Sequence, residues 1–377
     1  MCHDFHFPRQ FQAELIADKF EDQGDSADKV AQFVTAPRHT GKSAFLKRDL
    51  VPLLHRRGFH TIYCDLWNGP SCDPGKNIVD VLIAELVAVA KQRGIGLDTL
   101  PISKVGVGSY TCLLPATNAR RKGTLSTVIG EIIARTECPL VLIVDEAQEA
   151  WESPTGQAAL TALRQARLEF GSSGTGSKLH LLFAGSHRDK LSALVLKRSA
   201  PFFGAQVQEF PRLGRDYIES LVSVVNPRLA PANQLDADDV EAAFELLGYQ
   251  PKTLTHVVME HALSASGSEG LKQTVQTAPN SLRARIWRQH EDDFGTLNPM
   301  QRSVLRVLIE DGASFSPFAA RTLERVGQQL DDVPTAPKVQ KALDALREKG
   351  LVWRPGRGSY ALEDQDMRDW LLDALAA

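Results

Sequence analysis

The sequence predicts an α/β fold in which a parallel sheet flanked by helices is followed by an all-helical stretch and a terminal winged helix-turn-helix. Three observations predict it. Five strand-length apolar runs alternate with helical patterns over the first 215 residues, the alternation expected of a parallel sheet covered on both faces. One of these runs feeds into Ala36-Pro37-Arg38-His39-Thr40-Gly41-Lys42-Ser43, a match to G-x-x-x-x-G-K-[ST] with alanine at the first glycine position. Beyond Asn298-Pro299, three helical patterns precede two short strand patterns around Pro355-Gly356.

Taken in order, Pro8 to Phe20 reads as a helix, Val30 to Thr35 as the first strand and Ser43 to Arg57 as the next helix. Strand, loop and helix in that order form the setting of a phosphate-binding loop. Residues Ala36, Pro37, Arg38, His39, Thr40, Gly41, Lys42, Ser43 and Ala44 therefore read as the nucleotide-binding stretch. Successive backbone N–H groups would wrap a β-phosphate, Lys42 would reach the β and γ oxygens, and the Ser43 hydroxyl would bind Mg²⁺. Ala36 is the mildest departure from glycine, although a Cβ restricts positive φ.

Phe59 to Leu66 is the second strand and Ile78 to Arg93 a helix. Gly94 to Gly123, rich in glycine and proline and lacking a helical period, reads as a surface insertion. Leu125 to Arg135 is helical. The run Leu140 to Val144 is apolar throughout, as in a strand buried on both faces, and it ends in Asp145-Glu146. Beside the phosphate loop, Asp145 would hold the Mg²⁺ shell and Glu146 would polarise an attacking water. An ordinary solvated acidic pair is the alternative. Ala158 to Phe170 is a helix, Gly171 to Ser177 a flexible linker by composition, Leu179 to Gly185 a strand, Arg188 to Leu196 a helix and Ala205 to Pro211 the last strand.

From Arg215 onward the pattern is helical, with segments Arg215 to Val225, Ala237 to Leu247, Lys252 to Ser264 and Asn280 to His290. Gly295 to Pro299 marks a boundary. The expected organisation is a nucleotide-binding core at 1–214, a helical lid at 215–294 and a winged-helix domain at 295–377. In the last, Pro299 to Glu310, Ala319 to Leu330 and Ala336 to Lys349 are helices and 350–362 a hairpin, followed by an acidic tail. Residues 335–360 hold six basic side chains, Lys338, Lys341, Arg347, Lys349, Arg354 and Arg357, against Asp344 and Glu348, a surplus of four. Double-stranded DNA contacted by Lys338, Lys341, Arg347, Arg354 and Arg357 is one reading, and a protein partner is the other.

The whole chain, at 377 residues with a formal charge of -3, carries no global nucleic-acid signature, so any DNA contact is local. Five cysteines form no C-x-x-C pair and read as free thiols. No apolar run approaches the roughly twenty residues a membrane span needs, and the N-terminus lacks a signal-peptide pattern. A cytoplasmic protein without membrane contact is expected.

The T-G-K-S loop, the strand ending in D-E-A-Q, the strand ending in F-A-G-S, the helical stretch and the terminal winged helix together resemble the additional-strand P-loop ATPases. The resemblance is to the archaeal-type group near the signal-transducing STAND class, and more distantly to the AAA+ initiator ATPases. It implies an ATPase using ATP and Mg²⁺, and a sheet in which strand 179–185 lies between the phosphate-loop strand and the strand of Asp145. It also implies that Ser186 senses the γ-phosphate, although Ser186 also suits a helix N-cap for the segment from Arg188. Members place an arginine finger, often offered to a neighbouring subunit, shortly before the fifth strand, which here makes Arg198 the candidate. Archaeal-type members carry an arginine after the aromatic-glycine pair where this chain has Ala205. Absence of an Asn-Lys-x-Asp motif favours ATP over GTP. Two functions follow: a hydrolysing nucleotide switch that controls a DNA-binding winged helix, or a slowly hydrolysing STAND-like module whose winged helix binds protein, each compatible with a homo-oligomer.

Overall fold

Strand 140–145 shows how the sheet is built, because all six of its residues are buried and they alternate between two cores. Leu140, Leu142 and Val144 point into one core, and Val141 and Ile143 into the other. A period of two with both phases apolar is what a strand covered on both faces requires. The computed structural model describes residues 5–21, 31–67, 73–114, 122–171, 177–263, 282–330, 333–356, 358–363 and 365–376. It divides into two compact units, one comprising Pro8–Ala36 and Lys42–Phe210, the other Met1–Phe7, Pro37–Gly41 and Pro211–Ala377.

In the first unit α1 (Gln10–Glu21) precedes β1 (Gln32–Thr35). One helical run then changes winding: α2 (Lys42–Phe45) passes through a π-helical segment (Leu46–Leu50) into α3 (Val51–Arg56). Next come β2 (His60–Asp65), α4 (Pro74–Gln92), the short strands β3 (Lys104–Val107), β4 (Tyr110–Leu113) and β5 (Lys122–Gly123), and α5 (Leu125–Thr136). The unit closes with β6 (Leu140–Asp145), α6 (Gln148–Trp151), α7 (Pro154–Phe170), β7 (Leu179–Gly185), α8 (Arg188–Leu196) and β8 (Val207–Glu209).

The five long-range strands form a parallel sheet in the order β2-β6-β7-β1-β8. β7 therefore lies between β1 and β6, as the resemblance implied. Ile78, Leu82 and Leu86 of α4, Val128 and Ile129 of α5, Leu160 and Leu163 of α7, and Leu191 of α8 cover one face. Ala13, Ile16 and Phe20 of α1 and Phe45, Leu50 and Leu54 of the helical run after the loop cover the other. Capping sets the helix starts: Asp73 accepts from Lys76 N at 3.0 Å, Thr124 and Thr127 form a capping box, and Ser153 accepts from Gly156 N at 2.8 Å. These caps explain why α4 and α7 begin four residues earlier than periodicity alone indicated.

The segment 94–123 departs from the surface insertion expected of it. β3 pairs antiparallel with β4 and parallel with β5, and Leu100, Ile102, Val105, Val107 and Leu114 belong to the main core. The alternation of Val105 and Val107 is too short to stand out among the glycines. Gly108, at φ 55°, closes the two-residue turn in the left-handed region, which glycine enters at least cost. Residues 115–121 of this insertion, and most of the 171–177 linker, lie outside the described residues.

His180 on β7 is buried between Phe20 and Phe59, its ring centroid 5.2 and 5.6 Å from theirs. Burial, reinforced by the Arg167 charge and opposed by the Ser177 carbonyl, pushes its pKa down to about 4. The fold favours the neutral ring, so this contribution is complete above the ordinary pKa of about 6.5 and is lost as pH falls toward 4. Denaturant unfolding of this unit should lose on the order of 1–2 kcal/mol from His180 between pH 7 and pH 5. His180→Phe should remove that share of the pH dependence, and an unchanged pH dependence would refute the assignment.

In the second unit α9 (Arg215–Val225), α10 (Ala237–Leu246) and α11 (Pro251–Leu263) close around Tyr217, Ile218, Leu221, Val240, Phe244, Leu254 and Val258. Phe5 and Phe7 pack against the same core, each within 6 Å of the Tyr217 ring centroid. Then follow α12 (Leu282–Gly295), α13 (Pro299–Asp311), α14 (Ala320–Gln328), α15 (Ala336–Glu348), the antiparallel strands β9 (Val352–Gly356) and β10 (Ser359–Leu362), and α16 (Gln365–Ala376). Asn298 and Gln301 cap α13 reciprocally, with Pro299 in its first turn. Val304, Leu308, Val326, Val339, Leu343, Leu346 and Val352 form a separate core.

Two features here were not expected from the sequence. Trp287 and Phe294 of α12 pack against that core, and the acidic tail opens a helix whose Met367, Trp370 and Leu371 are buried in it. Those three share a helical face, and acidic residues suit a helix N-terminus.

Candidate functional site

The C-terminal ends of β6 and β7 and the first turn of α2 meet in one hydrogen-bonded cluster. Asp145 is the last residue of β6 and fully buried, so an unmatched carboxylate there would be costly. It is matched four ways. Lys42 Nζ pairs with Oδ1, which also accepts from Glu146 N at 3.0 Å. Ser43 Oγ and Tyr63 OH each donate to Oδ2 at 2.6 Å. Burial, with the Asp145 charge next, raises the Tyr63 pKa well above the phenol range, so Tyr63 is a donor at every physiological pH. Lys47 Nζ lies 4.5 Å from the Tyr63 ring centroid.

Glu146 follows with φ 54°, a left-handed conformation uncommon outside glycine, and the next residue is anchored by Ala147 N donating to Ala184 O at 2.9 Å. Strain of this kind concentrates where a side chain must be aimed. Glu146 Oε1 accepts from Lys42 Nζ at 2.9 Å, and Oε2 accepts from Ser186 Oγ at 2.6 Å, Ser186 N at 3.3 Å and Gln148 Nε2 at 2.6 Å. Burial alone would raise its pKa. The Lys42 charge and the Ser186, Lys42 and Gln148 hydrogen bonds outweigh it and hold the carboxyl at about 2.

The structure thus brings Lys42, Ser43, Asp145, Glu146 and Ser186 together. Ser186 does not cap α8: His187 holds the cap position, without a side-chain cap bond, and the Ser186 hydroxyl is directed to Glu146. Ala36, buried just after β1, donates its N–H to Gly185 O at 3.2 Å. In the loop Thr40 Oγ1 donates to Pro37 O at 2.7 Å, and His39 and Gly41 hold positive φ of 65° and 89°. Arg38, His39 and Ala44 are exposed.

Arg198 is not part of the cluster. It stands exposed beyond α8. Of the basic set on the last helices and hairpin, Lys338 and Lys341 are exposed on α15, Arg347 lies 3.6 Å from Asp344, and Arg354 sits over the Tyr360 ring at 5.9 Å. Arg357 lies outside the described residues. Sequence reasoning missed Tyr63 and gave Gln148 no role. Tyr63 reaches Asp145 through the pairing of β2 with β6, for which the sequence carried no local signal. Gln148 stands two residues after Glu146, inside the D-E-A-Q run itself.

The fold is that of Walker-type ATPases. A Walker-type ATPase of Pyrococcus abyssi is similar over 98% of this chain and 97% of its own, at a TM-score of 0.59 and 16% identity. The ORC2 protein of Aeropyrum pernix in its ADP form is similar over 99% and 95%, at 0.57 and 14%. The same protein in ADPNP-ADP complexes gives 0.52 at 12% identity, over 99% of this chain and 98% of that one. No family model and no curated protein matches the sequence.

Proposed function

We propose that the protein binds ATP with Mg²⁺ and hydrolyses it, and that nucleotide state controls a winged helix, built from α13 to α15 and the β9–β10 hairpin, that binds double-stranded DNA. One observation carries the reading: Lys42 and Ser43, at the start of the helix after β1, meet Asp145 and Glu146 across the intervening β7. The similar Pyrococcus protein is described as an ATPase and the Aeropyrum protein as carrying ADP, which supports it.

Each residue has a distinct task in this reading. The backbone of Ala36 to Ser43 and the first turn at Ala44 receive the phosphates, and Lys42 passes from the two carboxylates to the β and γ oxygens. Ser43 Oγ and Asp145 Oδ2, 2.6 Å apart, are hard oxygen donors of the kind Mg²⁺ takes. When bound, the ion neutralises charge on the phosphate oxygens. Glu146 orients the attacking water and accepts its proton, while Ser186 reports the γ-phosphate end. Arg198 is free to serve a nucleotide held by a second copy of the chain, which makes a homo-oligomer part of the proposal. Residues 1–214 would then act as the core, 215–294 as a lid and 295–377 as the output domain. Among the described residues no helix is long and apolar enough to cross a membrane.

A slowly hydrolysing switch whose winged helix binds protein has one observation in its favour. With its carboxyl held at about 2, Glu146 is a poor base until Lys42 is drawn away. ATP hydrolysis measured with and without double-stranded DNA separates the two, because stimulation supports the first reading and indifference the second. Failure to bind ATP by calorimetry would overturn both. If DNA is the partner, replacing Lys338 and Lys341 together by alanine should weaken binding and reduce the log-log salt slope by about two units, with ATP affinity retained. An affinity unmoved by that pair would favour a protein partner.

A further inference from the structure

We propose that Gln148 is a positioning residue that fixes the Glu146 carboxylate for catalysis, an inference that rests on the hydrolytic reading above. Gln148 is fully buried at the first position of the four-residue helix α6. Its amide Nε2 donates to Glu146 Oε2 at 2.6 Å and approaches Ser186 Oγ at 3.4 Å. One amide therefore ties the candidate base on β6 to the polar residue that follows β7.

The other end of the same amide shows why a structural account falls short. Gln148 Oε1 is buried and has no hydrogen-bond partner among the described residues. A buried carbonyl left unpaired costs stability, and an apolar side chain of equal length would fill the space without that cost. The oxygen is turned instead toward Gly185, where an added Cβ would come within 2.4 Å of it. Glycine at the end of β7 leaves room for the amide to present its N–H₂ to Glu146. The stability forgone at Oε1 is explained by the donor end, whose short bond is to Glu146 at 2.6 Å and whose longer approach is to Ser186 at 3.4 Å.

The geometry also shows what the contact does. Glu146 Oε2 is reached from Ser186, just beyond β7, and from Gln148, at the start of α6, so the carboxylate cannot rotate about its last bond without losing both. When Lys42 moves to the phosphates, Oε1 loses its partner and Oε2 keeps its two side-chain donors. One oxygen is held while the other is left to accept a proton. Misplacement of a reacting group by about 1 Å costs about 100-fold in rate, which sets the scale of the effect.

The test is a double-mutant cycle on the full chain, read by ATP hydrolysis. Gln148→Met keeps length and volume and removes the donor. It should lower kcat about 10- to 100-fold while KM and calorimetric ATP affinity stay at wild-type values. In the Glu146→Gln background the same substitution should cost nothing further, because the group it positions is no longer a base. Gly185→Ala, which drives a Cβ against the amide oxygen, should reproduce the kcat loss and keeps the question answerable if Gln148→Met folds poorly. Wild-type kcat in Gln148→Met overturns the proposal, and so does an equal loss in both backgrounds. Hydrolysis by the wild type that Glu146→Gln does not slow sinks the catalytic reading of Glu146 itself, and this inference with it.

Discussion

Lys42→Ala is expected to abolish ATP binding, or to weaken it beyond calorimetric detection. Lys42 Nζ is only marginally exposed and already neutralises two carboxylates, so its charge acts in a site with little water to screen it. Removing it has a double effect. A bound triphosphate loses the one side-chain cation of the loop's first helical turn, and Asp145 and Glu146 are left facing each other and the phosphates without a counter-charge. Backbone N–H groups supply partial charges only, too little to offset three like-charged groups at close range. The apo protein should be destabilised as well, because a buried ion pair that loses one partner costs about 3–5 kcal/mol. Calorimetric titration with ATP checks the first effect and thermal unfolding the second. Wild-type affinity in Lys42→Ala would show that the loop does not bind phosphate.

Glu146→Gln is expected to leave ATP binding near normal and to slow hydrolysis about 10²- to 10⁴-fold, the usual cost of losing a positioned general base. The amide keeps the volume of the carboxyl and still accepts from Ser186 or Gln148 through its remaining oxygen, but it cannot take a proton from water. Asp145→Asn should behave differently and raise the Mg²⁺ concentration required, since Asp145 is the carboxylate paired with Ser43. Single-turnover hydrolysis across a Mg²⁺ series distinguishes the two variants. Equal rates for Glu146→Gln and wild type would remove Glu146 from the reaction.

How much of this was legible in the sequence depended on whether the signal was local. β6 and β7 were readable because a strand buried on both faces is apolar at nearly every position, with Asp145 at the end of β6 and His180 in β7 as the exceptions. The meeting of Lys42, Ser43, Asp145 and Glu146 was readable because the T-G-K-S loop follows one strand and the acidic pair ends another. Tyr63 was not readable, because its role comes from the parallel register of β2 against β6, which brings residues some eighty positions apart into contact. Helix α16 was missed for a different reason: charge at 363–366 masked the apolar spacing of Met367, Trp370 and Leu371. The insertion at 94–123 was misread because its strands are four residues or fewer and take their stability from the helices beneath them. The π-helical turns at Leu46–Leu50 left no mark in the sequence pattern.

The pairing of Lys42 with both Asp145 and Glu146 has a thermodynamic consequence. If the proposed site binds nucleotide, an incoming polyphosphate would not meet a vacant cation; it would have to displace an internal competitor that is covalently part of the protein and present at very high effective concentration. Binding would then be an exchange of anions around one ammonium group, and the free energy released the difference between two ion pairs. That same exchange sets free the two carboxylates. By linkage, whatever then stabilises the released carboxylates, a divalent cation foremost, tightens the hold on nucleotide by the same factor. On the proposed reading the cluster would act as a threshold: polyphosphate alone would be opposed, and polyphosphate arriving with its metal favoured.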